Sequence, residues 1–331
     1  MFGSFRSAHA IDAASTVRGR VGGLSPRRSD AAERHDPPLV VRRFVTERAL
    51  SRGELLAEVA ERLAGTSAVA ERAYWHGGVH VNGHPLDPDA PPAPAAAGSW
   101  VIVYAFEREP EPVAAPLRVL HDGDGLVAVA KPPWLPMQRS RASARFTLEA
   151  ALRERLGDPT LVAAHRLDRQ TSGVAVFARG RAGAWASAAL GARRAKKRYL
   201  AVVAPPPAEE RFAVSGWIAR VPDPARFRFA LAAASSPGAR DSASAFRVLE
   251  RRGARALVEA IPETGRTHQL RIHLAAHGSP IVGDDLYGPP YAEGAVSSAE
   301  RVLLHAAALE LLRPDDTTLQ IACEPPADLA L

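Results

Sequence analysis

His165-Arg166-Leu167-Asp168-Arg169-Gln170-Thr171-Ser172-Gly173 runs directly into Val174-Ala175-Val176-Phe177-Ala178. The second half is a short apolar run rich in β-branched residues and reads as a strand. The first half is polar and ends in Thr-Ser-Gly, which favours a tight turn. The stretch therefore sets one carboxylate, Asp168, between two arginines on a loop beside a sheet. Neighbouring guanidinium groups favour the ionised carboxylate. A permanently charged carboxylate on a rigid support suits nucleophilic attack or stabilisation of a cationic transition state. The alternative is a plain surface ion pair with Arg166 or Arg169, and charge pattern alone leaves both open.

Working outward, Leu126-Val127-Ala128-Val129-Ala130, Tyr199-Leu200-Ala201-Val202-Val203 and Leu257-Val258-Glu259-Ala260-Ile261 read as further strands. Leu148, Leu152 and Leu156 lie four apart, the spacing of an amphipathic helix, and another helix is expected from Arg181 to Leu190. Strands and helices mix without a strict βαβ alternation, which predicts an α+β domain over residues 111–331 rather than a doubly wound sheet.

Two pieces precede it. Residues 1–40 lack hydrophobic periodicity and carry several glycines and prolines, so they read as a disordered extension; their arginine-rich, acid-poor character also fits a transit peptide. Residues 41–110 read as a small α/β unit. Leu55, Leu56, Val59 and Leu63 fall at helical spacing. Gly77-Gly78-Val79-His80-Val81-Asn82-Gly83 reads as strand and turn, with Asn-Gly as the hairpin signal, and Trp100-Val101-Ile102-Val103-Tyr104 as a closing strand. This order resembles the small RNA-binding domain shared with a ribosomal small-subunit protein. It departs in its nearly neutral second helix, Thr66-Ser67-Ala68-Val69-Ala70-Glu71, where that domain usually presents basic residues. The proline-rich runs 85–94 and 108–116 read as a loop and a linker.

The net charge of +6 and pI near 9.9 favour an acidic partner such as nucleic acid. No apolar run approaches the ~18 residues of a membrane span. The single cysteine, Cys323, excludes an intrachain disulfide and a cysteine-rich zinc site, and it fits a reducing, cytoplasmic setting. The basic side is almost all arginine. The three lysines, Lys131, Lys196 and Lys197, mark places where arginine would not serve.

The whole string decides between the readings of Asp168. H-R-L-D-x-x-T-S-G resembles the signature of the RluA family of pseudouridine synthases at every fixed position. The family's other motifs follow in order: Val129-Ala130-Lys131-Pro132-Pro133, Lys197-Arg198-Tyr199-Leu200-Ala201, Gly265-Arg266-Thr267-His268-Gln269-Leu270-Arg271-Ile272-His273, Pro280-Ile281-Val282-Gly283-Asp284-Asp285-Leu286-Tyr287-Gly288 and Leu304-His305-Ala306. The resemblance covers roughly 120 to 310.

It implies a catalytic domain with a mixed, mainly antiparallel sheet. The implied reaction detaches uracil from ribose, rotates it and rejoins it through carbon 5, with no cofactor, nucleotide or metal. Asp168 would act at carbon 1′, either by attack or through a glycal. Tyr199 would stack on the flipped uracil with its hydroxyl near the ribose, and Arg271, on an expected helix, would hold Asp168 bidentately. Arg166 would enter the gap left by the flipped base or contact phosphate. His165, Arg266, Lys197, His268 and Gln269 would line the RNA site. The partner would be structured ribosomal or transfer RNA, bound by a monomer. Two other readings compete. His268, His273, His277, Asp284 and Asp285 could be imagined as a metal cluster, but no H-E-x-x-H string supports it. A non-catalytic RNA-binding or ribosome-assembly protein on the same scaffold is opposed by the presence of Asp168, Tyr199 and Arg271 together.

Overall fold

The computed structural model describes residues 39–63, 67–90, 95–106, 117–192, 194–222, 228–284, 286–288 and 301–331. The expected extension 1–40 lies outside them except for its last two residues, as do the expected linker 108–116, residues 91–94 of the proline-rich loop, Thr66 and Asp285.

The described residues divide into two compact units, the first comprising 39–106 together with Arg139–Arg145. It contains β1 (Leu39–Val45), α1 (Arg52–Arg62), α2 (Ser67–Trp75), β2 (Val79–Val81), β3 (His84–Pro85) and β4 (Trp100–Phe106), with strand order β1-β4-β2-β3. Ser51 and Glu54 form a capping box that starts α1. Leu55 and Val59 then bury one face of that helix with Ala70, Val79, Val101 and Val103. Asn82 and Gly83 both take positive φ (50° and 88°), the conformation that a two-residue hairpin turn requires. β1 was not legible in sequence: Arg42 and Arg43 break its alternation, and its partner is β4, with Leu39 opposite Phe106.

The second unit carries the rest: β5 (Arg118–Gly123), β6 (Leu126–Lys131), α3 (Leu148–Leu156), β7 (Leu161–Ala163), β8 (Ser172–Arg179), α4 (Ala184–Gly191), β9 (Ala195–Val203), β10 (Arg211–Arg220), β11 (Phe229–Ala232), β12 (Arg240–Arg252), β13 (Arg255–Pro262), α5 (Gln269–Ala276), β14 (Leu304–Leu312) and β15 (Thr318–Ala322). The sheet runs β11-β10-β12-β13-β9-β14-β8-β6-β5, with β15 on β14 and β7 on β8. The pairing is antiparallel except between β8 and β14 among the described residues, so the unit is α+β on a mainly antiparallel sheet.

That parallel seam positions the site. Ala306 of β14 pairs with Tyr199 of β9 on one side and with Gly173 of β8 on the other. Gly173 sits at φ +112°, and a Cβ there would lie 2.2 Å from the Ala306 carbonyl oxygen, so no other residue lets the strands close. The loop bearing Asp168 and the ring of Tyr199 are thus delivered to opposite flanks of one strand.

Helix α5 buries Gln269 through Leu274 against the sheet. Its His273 is fully buried inside a closed chain of hydrogen bonds. Ser242 Oγ donates to Gly216 O and accepts from His273 Nε2, while Ser244 Oγ accepts from Gln269 Nε2 and donates to His273 Nδ1. Only a neutral ring fits this chain, and burial pulls its pKa down to about 4. The unfolded chain binds a proton near pH 6.5 that the fold refuses, so this group's stabilisation is complete above that pH and is lost as pH falls towards 4. Below pH 6.5, stability should drop by up to about 1.4 kcal/mol per pH unit through this residue. Urea unfolding of the wild type and of His273→Gln at pH 7.5 and 5 checks this, with a shallower pH slope expected for the variant.

Candidate active site

The turn after Asp168 is closed by the Thr171 amide, which donates to the Asp168 carbonyl at 3.0 Å. The fully buried Lys131, at the end of β6, donates from Nζ to the carbonyls of Arg169 (2.9 Å), Thr171 (2.7 Å) and Pro132 (2.9 Å). One ammonium thereby fixes both ends of the turn that presents Asp168. Three donors on a compact charge suit these converging carbonyls, which gives the rare lysine a reason. Ser172 is pinned too: His305 donates from Nε2 to Cys323 O, leaving Nδ1 to accept the Ser172 hydroxyl at 2.9 Å.

Asp168 opens into a cleft of about 480 Å³, within the roughly 300–1,000 Å³ typical of ligand sites. His165, Arg166, Lys197, Tyr199, Arg266 and Arg271 also line it. The Asp168 side chain is 26% exposed, whereas Arg271 beside it is 1% exposed, with Nη1 3.6 Å from Asp168 Oδ2. The expected bidentate grip of Arg271 on Asp168 is absent. The fork instead closes on Asp284, with Nε to Oδ2 at 2.8 Å and Nη2 to Oδ1 at 2.9 Å. Asp284 is the better partner because it is as buried as the arginine and its Oδ1 is also held by the Leu286 and Tyr287 amides at 3.0 Å. Burial alone would raise its pKa; the Arg271 charge and these hydrogen bonds outweigh that and hold it below the usual carboxylate range.

Tyr287 and His268 complete the wall. The Tyr287 hydroxyl accepts from the Phe229 amide at 3.2 Å and lies 2.8 Å from His268 Nδ1; with the hydroxyl donating to Nδ1, the imidazole proton falls on Nε2. That Nε2 stands 4.0 Å from Asp168 Oδ1. The Tyr287 ring also lies 5.2 Å from the Arg271 guanidinium carbon, within cation–π range. Tyr287 was not singled out in sequence, and Asp284 was weighed there only as a metal ligand. Their signal was the compact G-D-D-L-Y-G string, which looks like a polar loop until its carboxylate proves buried.

The remaining candidates divide. Tyr199 lines the cleft, and burial, then the Asp168 charge, raise its phenol pKa, so it keeps its proton at neutral pH. His165 accepts the Val176 amide on Nε2; burial and then Lys197 lower its pKa to about 3, so it is neutral. Lys197 has its own pKa lowered by burial and no ion-pair partner among the described residues. Arg166 is exposed at the cleft. Arg266 is tied to Asp241 by Nε to the carbonyl at 2.7 Å and Nη2 to Oδ1 at 2.6 Å. The expected RNA contact at Gln269 does not fit its geometry. Its oxygen accepts from Thr264 Oγ1 and the Arg266 amide, and its nitrogen donates to Ala243 O and Ser244 Oγ, so the amide is consumed inside the protein. Among the described residues, no three His, Cys, Asp or Glu side chains gather as a metal site.

A family model described as RNA pseudouridylate synthase matches residues 125–276. Over 229 residues the chain is 36% identical to ribosomal large subunit pseudouridine synthase D of Xanthomonas campestris pv. campestris, covering 64% of this chain and 67% of that protein. It is 30% identical over 226 residues to an uncharacterized RNA pseudouridine synthase of Synechocystis sp., covering 66% and 76% respectively. Among solved structures, human RNA pseudouridylate synthase domain containing 1 superposes with a TM-score of 0.56 at 27% identity, covering 66% of this chain and 86% of that one.

Removing the buried carboxylate partner of a fully buried guanidinium typically costs about 3–5 kcal/mol. Asp284→Ala should lose stability on that scale in urea unfolding.

Proposed function

Since the chain belongs to the RluA-type family of RNA pseudouridine synthases, we propose that Asp168 is the carboxylate that acts at carbon 1′ of the target uridine. The reaction breaks the bond from carbon 1′ to nitrogen 1 and forms one from carbon 1′ to carbon 5; carbon 5 loses its hydrogen as a proton and the freed nitrogen 1 takes one up, so the product is an isomer. The carrying observation is the arrangement around Arg271. Its charge is already balanced by Asp284, yet its Nη1 stands 3.6 Å from Asp168 Oδ2 and turns a positive edge towards that carboxylate. A charged carboxylate that remains partly open to the cleft is what attack on, or stabilisation of, an electron-poor carbon 1′ requires.

The neighbours take matching parts. Tyr199 offers an aromatic face for the flipped uracil and a protonated hydroxyl that can donate to the ribose. Arg166, exposed at the cleft, enters the gap that the flipped base leaves. Lys197, lacking an acidic partner among the described residues, is suited to a phosphate. Arg266 reaches RNA only by sharing or leaving Asp241. His268 acts from behind, directing Nε2–H towards Asp168 rather than towards RNA. The substrate is a uridine in structured RNA, and ribosomal RNA is favoured because the Xanthomonas relative is named for the large ribosomal subunit. The enzyme acts as a monomer in the cytoplasm. The small unit formed by residues 39–106 adds a modest share of RNA affinity, since its second helix is nearly neutral.

Asp168→Asn keeps the shape and removes the charge. Tritium release from uridine-labelled RNA should vanish while RNA affinity stays near that of the wild type; measurable turnover by a clean preparation would overturn the assignment. Tyr199→Phe should bind RNA normally and turn over slowly. Tyr199→Leu should also weaken binding by roughly 1–3 kcal/mol, so unchanged affinity in that variant would remove the stack.

A further inference from the structure

Three successive carbonyl oxygens follow Asp168, and each accepts from a buried cation. Lys131 takes those of Arg169 and Thr171, and Arg301 takes the middle one, with Nη1 3.2 Å from Gln170 O. Gln170 is tied a second time, its side-chain oxygen accepting the Val302 amide at 2.8 Å. Arg301 Nη1 also reaches the carbonyls of Val302 (2.9 Å) and Leu304 (3.3 Å), where β14 begins. The other edge of the guanidinium is held bidentately by Asp328, Nε to Oδ2 at 2.7 Å and Nη2 to Oδ1 at 2.8 Å. Asp328 lies in the short 3-10 turn Ala327–Leu329, far along the chain from the loop it reaches through Arg301.

We propose that Arg301 and Asp328 form a positioning latch for the Asp168 loop. The proposal rests on the reading of Asp168 as the catalytic carboxylate. A guanidinium is planar, so fixing its Nε–Nη2 edge on a carboxylate fixes the direction in which Nη1 points. Asp328 therefore orients the donor that holds the residue two places after Asp168. Lys131 clamps the ends of the turn, and the latch sets its middle. The burial pattern separates orientation from folding: Arg301 is 3% exposed, whereas the Asp328 side chain is 46% exposed, so water can meet the freed N–H groups if the carboxylate charge is removed. The latch touches neither substrate nor reacting atoms, so its effect belongs in the chemical step and not in RNA affinity.

The test compares full-length wild type, Asp328→Asn, Asp328→Glu and Asp168→Asn on total RNA carrying tritium at uridine carbon 5, from cells lacking the protein. Single-turnover tritium release, retention of the same RNA and thermal unfolding are measured. Misplacing a reacting group by about 1 Å can cost on the order of a hundredfold in rate; a loosened loop should cost Asp328→Asn about tenfold. Its RNA affinity should stay within about twofold of wild type, the split expected when an interaction acts only in the transition state. Asp328→Glu, which restores the charge, should recover most of the rate. A wild-type rate in Asp328→Asn, or equal slowing in both Asp328 variants with a matching loss of thermal stability, overturns the latch. Turnover by Asp168→Asn overturns the catalytic assignment instead, whereas a dead Asp168→Asn beside a full-rate Asp328→Asn overturns the latch alone.

Discussion

The site is organised around a guanidinium sealed from water. Taking the Arg271 charge out of solvent costs several kcal/mol before any partner is counted. The fold meets this cost with Asp284, buried to the same depth and locked by two backbone amides. Because Asp284 takes the fork bidentately, Asp168 need not be a structural partner, and its carboxylate keeps an open side towards the cleft. Had the fork closed on Asp168, that carboxylate would have been less available to the cleft. Tyr287 and His268 then fill the remaining wall, so the side of Asp168 turned to the protein meets the Arg271 guanidinium and the His268 imidazole.

What was legible in sequence follows the same physics. Strands buried on both faces, such as β6 and β8, announce themselves because their central residues form an unbroken apolar run. β10 and β12 were missed because one face is wet and studded with arginine, serine and alanine, so that hydrophobicity does not alternate cleanly. β1 and β14 are defined as much by their distant partners as by their own residues. The short motifs placed Asp168, Tyr199 and Arg271 around one cleft without any knowledge of the sheet. They could not say who holds whom. Which of two nearby carboxylates receives a fork depends on burial, and whether an amide such as Gln269 faces ligand or protein depends on neighbours 25 residues away. The scarcity of lysine did carry information: Lys131 occupies a place where three carbonyls converge.

The strand at the centre of this architecture is also among the latest in the chain. Ser172 and His305 touch across a separation of 133 residues, and the parallel seam between β8 and β14 cannot close until β14 exists. Pairings of such long range form slowly, because the loop entropy is lost before the contact repays it. During synthesis the sheet therefore waits with β8 and β9 unbridged, and the two flanks of the cleft have nothing to hold them in register. A nascent chain should therefore lack the assembled cleft until β14 has cleared the ribosome. Activity should be acquired abruptly, with the last central strand, rather than growing with chain length.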